Sequence, residues 1–150
     1  MSLSINIVDH CRVCNPLFSN MDENEICYFV DRYEKFWELC KDNPNVIIAP
    51  TKDIDEVWHT HMLRPTNYIS DCNSYFGYVL DHDGYSGRAD ANNHDLEIGY
   101  QNLERLWYER YSEEVTPKIK GSDSCNLLVE KVKNTAPTSR GSGIRYPLTK

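Results

Sequence analysis

Several things are scarce in this chain of 150 residues, and each scarcity closes off a class of function. No run approaches the roughly 18 apolar residues of a membrane span, and Met1 to His10 lacks the basic start and long apolar core of a signal peptide. The expectation is a soluble, cytoplasmic protein with no membrane partner. Basic residues are scarce over most of the chain: residues 1–115 hold 9 of the 16 Lys and Arg but 21 of the 23 Asp and Glu, a net of −12. Such a body repels a phosphate backbone, so no nucleic-acid partner is expected. There is no phosphate-binding glycine loop, no nucleophile elbow and no H-E-x-x-H. The six cysteines lack a disulfide-framework or zinc-ribbon spacing, because Cys11-x-x-Cys14 has no second pair at ribbon distance. They read as reduced thiols, with Cys27 and Cys40 at helix core positions.

What is present is concentrated between residues 50 and 82, where three of the five histidines fall. Thr51 or Asp53 can cap a helix after Pro50, and Asp53, Asp55 and Glu56 place negative charge at the positive end of the helix dipole. Ile54, Val57, Trp58, His61 and Met62 then recur at helical spacing as one apolar face, which predicts a buried His61. His59 points roughly 200° away from His61, one turn above Asp55, so the two histidines cannot share an ion while Asp55 and His59 can. Pro65 is well placed to start a second helix reaching to about Phe76, with Tyr68 and Cys72 on one face and Gly77 as its stop. His82 follows on a short segment.

The flanks are also helical. Ile26, Phe29, Val30, Tyr33, Trp37 and Cys40 make a core stripe between about Asp22 and Asp42, with Asp31, Arg32, Glu34 and Lys35 assigned to solvent. Asn43-Pro44 ends this helix. Residues 83–93 read as an exposed loop. Its Asp81-x-Asp83 start fails as a calcium loop, since Ser86 and Asn92 stand where glycine and glutamate are needed. His94 or Asp95 can cap a last long helix to about Ser112. Beyond it, residues 116–150 hold 7 basic and 2 acidic residues, net +5, in a Ser/Thr/Pro/Gly-rich run with one periodic piece from Leu127 to Val132. The expected fold is mainly α: a single compact domain of about four to five helices over 1–116, with an irregular appendage over 117–150.

Ala49-Pro50-Thr51, Asp53-Ile54-Asp55-x-Val57-Trp58-His59-Thr60-His61-Met62-Leu63, Pro65, Tyr68, Asp71-Cys72, Phe76-Gly77 and Leu80-Asp81-His82-Asp83 resemble the signature of the glycine-rich domain-containing protein family. The resemblance runs over about residues 10–115, and its W-H-x-H core is the most specific part. It implies a helical domain in which Asp55, Trp58, His59, His61, Tyr68, Cys72 and His82 form one constellation, without a settled reaction. The chain departs from the family in having 7 glycines and no glycine-rich region.

Two functions are consistent with these residues. In the first, His59, Cys72 and His82 bind one divalent transition metal, zinc before others, and Asp55 or His61 completes the shell or acts as base. The chain is then a metal-dependent hydrolase or lyase with a small-molecule substrate. In the second, the histidine, tyrosine and aspartate groups are a buried hydrogen-bond network in a non-catalytic interaction module. Its basic tail then captures an acidic protein partner or folds back on the body.

Overall fold

The computed structural model describes residues 2–82 and 94–118, together with the backbone of 145–146. Five helices make up nearly all of the described secondary structure: α1 (Ile7–Cys14), α2 (Glu23–Asp42), α3 (Lys52–Met62), α4 (Pro65–Phe76) and α5 (His94–Tyr111). A two-stranded antiparallel ribbon adds β1 (Val79–Leu80), after α4, and β2 (Arg145–Tyr146), pairing Val79 with Tyr146 and Leu80 with Arg145. The fold is therefore mainly α, as the periodicity predicts. The expected loop at 83–93 and the periodic piece at Leu127–Val132 lie outside the described residues.

Local chemistry accounts for the helix ends. Asn6 Oδ1 accepts the Asp9 amide at 3.2 Å to start α1. Asp22 and Glu25 form a reciprocal capping box at the start of α2, satisfying two of the four amides that a helix leaves unpaired. Pro65 opens α4, where its missing N–H costs nothing, and Gly77 closes it in the left-handed region at φ 79°.

The core forms where α2 packs against α3 and α1 braces both. Trp37 is central to it, stacked on His61 at 5.6 Å between ring centres, edged by Tyr33 and Tyr68, and met by a tilted Phe76 ring. Two expectations from helix phase are corrected. Cys27 is exposed, because the buried stripe runs through Ile26, Phe29 and Val30 and leaves residue 27 facing out. Arg32, assigned to solvent, is 3% exposed. Its Nε donates to Asp53 Oδ2 at 2.5 Å, its Nη2 donates to the Val115 carbonyl, and its guanidinium lies 5.0 Å from the Trp107 ring centre. One side chain thus joins α2, the first turn of α3 and the segment after α5.

Gly99 fixes how α5 approaches the rest. Its carbonyl accepts the Ala49 amide at 3.1 Å, and a Cβ there would lie 3.0 Å from the Ala49 backbone nitrogen. Backbone cannot yield as a side-chain tip can. Gly99→Ala is therefore expected to cost about 1–3 kcal/mol through overpacking, read as a lower urea midpoint; an unchanged midpoint would show that α5 can slide.

Candidate metal centre

Helix α3 presents two different faces to two different clusters. On its inner face His61 is 0% exposed, as the stripe of Ile54, Val57 and Trp58 requires. Its Nδ1 lies 2.9 Å from Tyr33 Oη, and its Nε2 lies 3.1 Å from Asp71 Oδ2. A neutral ring protonated on Nε2 satisfies both contacts, with Tyr33 donating to Nδ1 and Nε2–H donating to the carboxylate. Burial lowers the His61 pKa from its ordinary value, and Asp71 opposes that shift. Asp71 also accepts the Ser4 amide, so this relay ties the N-terminal segment to α2, α3 and α4. His61→Ala strands the Tyr33 hydroxyl and opens a cavity, an expected loss of about 1–3 kcal/mol. Equilibrium unfolding in urea measures it, and a loss below half a unit would remove the relay from the account.

The other face carries Asp55 and His59, one turn apart, and meets His82 coming off β1. The Asp55 and His82 side chains are buried, at 2% and 5% exposed, while that of His59 is 34% exposed. His82 Nε2 lies 2.8 Å from Asp55 Oδ1, and His59 Nε2 approaches the same oxygen at 3.5 Å. One potential ligand atom from each of the three lies within 4.8 Å of the others, a grouping that can hold a metal ion. The other Asp55 oxygen is 3.5 Å from Lys52 Nζ, which also meets Glu56 at 2.6 Å. Burial lowers the His59 pKa, with the Asp55 charge opposing and His82 reinforcing it, and so favours the neutral imidazole that a metal ligand must be.

Of the residues expected to form one constellation, the structure gathers Asp55, His59 and His82. It sends His61 to a separate relay. Cys72 is fully buried and outside the cluster, its sulfur lying against the Leu80 amide and the Tyr68 hydroxyl. Burial raises the pKa of this thiol, which disfavours the thiolate that zinc binds. Asp55 takes its place as the third group. Sequence reasoning missed Lys52, although its helical spacing of three from Asp55 and four from Glu56 was visible.

Comparison with known proteins bears on the segment that builds this face. The family model described as glycine-rich domain-containing protein-like matches residues 12–71. Residues 12–71 are similar to that family. The matched segment of the glycine-rich domain-containing protein-like family includes Asp55, His59 and His61 and stops before Cys72 and His82. Glycine-rich domain-containing protein 2 and glycine-rich domain-containing protein 1 of Arabidopsis thaliana are each 33% identical to the chain over 86 residues, 55% of its length. The chain spans only 11% and 10% of those two relatives. No solved structure matches.

Proposed function

We propose that Asp55, His59 and His82 bind one divalent transition metal ion, with zinc as the first candidate, and that the domain is a metal-dependent hydrolase or lyase acting on a small molecule. The observation that carries this reading is the convergence of two imidazole nitrogens on Asp55 Oδ1. His59 stands at 3.5 Å, too far for a good hydrogen bond, yet close to the roughly 3.3–3.5 Å that separates two ligands of a tetrahedral ion with bonds of about 2.0–2.2 Å. His82, at 2.8 Å, has to withdraw by about half an ångström to reach that spacing. Three protein ligands leave a fourth position for water or substrate, which is the catalytic pattern rather than the closed structural one.

Two histidines and a carboxylate are also the donor set of non-haem Fe(II) sites, so iron is the second ion to test. The test is equilibrium dialysis of untagged protein against Zn(II), Mn(II), Ni(II) and, without oxygen, Fe(II), followed by elemental analysis. One equivalent of a single ion in the wild type, lost in His59→Ala, is expected. A folded wild type that takes up none of the four ions would reject the reading.

The second reading, a non-catalytic interaction module, draws on the separate basic segment at 117–150. The pairing of β2 with β1 favours its fold-back form, since it brings part of this segment onto the acidic body. Capture of an acidic protein partner by the same segment is the competing form, and a pull-down with acidic peptides in low and high salt distinguishes them.

A further inference from the structure

The geometry points to Tyr68 as the positioning residue of the proposed metal centre, with Cys72 as its companion, the two together clamping the Leu80 peptide so that His82 reaches Asp55. This inference rests on the metal reading above and assigns a role to the two α4 side chains that the site itself does not use.

Tyr68 and Cys72 sit one turn apart on the buried face of α4. The Tyr68 hydroxyl accepts the Trp58 Nε1–H at 2.8 Å and donates to the Leu80 carbonyl. The Cys72 sulfur lies against the Leu80 amide, so both polar groups of one residue of β1 meet α4 side chains. Leu80 is two positions before His82. Trp58, held by the same hydroxyl, is a wall of the site: its ring meets that of His82 edge-on at 4.6 Å, and the His82 ring in turn is 4.6 Å from that of His59. A single oxygen therefore connects the wall of the site to the strand that delivers one ligand.

The alternative is that this hydroxyl merely satisfies buried groups in a well-packed core. Tyr33 supplies the comparison, because it is also buried but its hydroxyl bonds His61, which lies outside the Asp55, His59 and His82 group. Removing either oxygen loosens the core. Only removal of the Tyr68 oxygen frees the His82 segment.

Full-length wild type, Tyr68→Phe, Cys72→Ala and Tyr33→Phe are to be compared in competition for zinc against a chromophoric chelator, with urea unfolding of the metal-free proteins alongside. Tyr68→Phe is expected to bind one zinc about 10- to 100-fold more weakly, the usual effect of losing a group that orients a ligand. Cys72→Ala should weaken binding in the same direction while keeping one site. Tyr33→Phe should lower the unfolding midpoint and leave zinc affinity where it was. Wild-type affinity in Tyr68→Phe, or equal weakening in Tyr33→Phe, would overturn the positioning role while leaving the metal reading intact. Complete loss of zinc in Cys72→Ala would make that sulfur a ligand and overturn the role assigned to it. A wild type that binds no zinc or iron overturns both inferences at once. Should Tyr68→Phe fail to fold, Cys72→Ala decides alone, since the tyrosine ring and its packing remain: weaker binding at one site supports the clamp and unchanged binding rejects it.

Discussion

Arg32→Ala is expected to destabilise the protein by about 3–5 kcal/mol, the largest stability effect among the side chains described. The reason lies in what the substitution leaves behind. Asp53 is 0% exposed, and without the guanidinium its charge is buried with no other ion-pair partner among the described residues. The Val115 carbonyl and the face of Trp107 lose their partner in the same step. Removing both charges is gentler: Arg32→Met combined with Asp53→Leu should recover much of the loss, because the pair's desolvation cost disappears with it. Chemical denaturation of the three variants checks this. A single-variant loss under about 1 kcal/mol would mean that water reaches Asp53 and that α2, α3 and the segment after α5 are not joined there.

Asp55→Ala is expected to weaken zinc binding by more than about 100-fold, since loss of a group that only orients a ligand already costs 10- to 100-fold. The carboxylate also brings two histidines to one point, so its removal disperses the site as well as shortening the ligand set. His61→Ala provides the contrast. It lies two residues from His59 yet faces Tyr33 and Asp71, and should reduce stability without a comparable loss of affinity. Isothermal titration of each variant with zinc separates the two, and similar affinity losses in both would mean that the faces of α3 are not independent.

These two cases also show where a local pattern in the sequence is informative and where it stops. Helical spacing placed Ile54, Val57, Trp58 and His61 on one buried face and set His59 above Asp55, because both facts depend only on 3.6 residues per turn. It assigned Arg32 to solvent, because a charge on a helix becomes an interior residue only when a distant partner neutralises it. Asp53 lies 21 positions away on another helix. Cys72 was grouped with the histidines on the chemistry of sulfur as a zinc ligand. Its place against Leu80 is set by how β1 returns along α4, a tertiary relation without local periodicity. Gly99 carried no signal either: one glycine in a helix reads as a weak spot until the backbone at Ala49 is seen against it.

The most direct test of the central claim is X-ray absorption at the zinc edge of the metal-loaded wild type. An ion held by Asp55, His59 and His82 predicts only nitrogen and oxygen neighbours at about 2.0–2.2 Å, with the outer-shell scattering of two imidazoles. A sulfur neighbour at about 2.3 Å would place Cys72 in the shell and contradict the account, as would the absence of imidazole scattering.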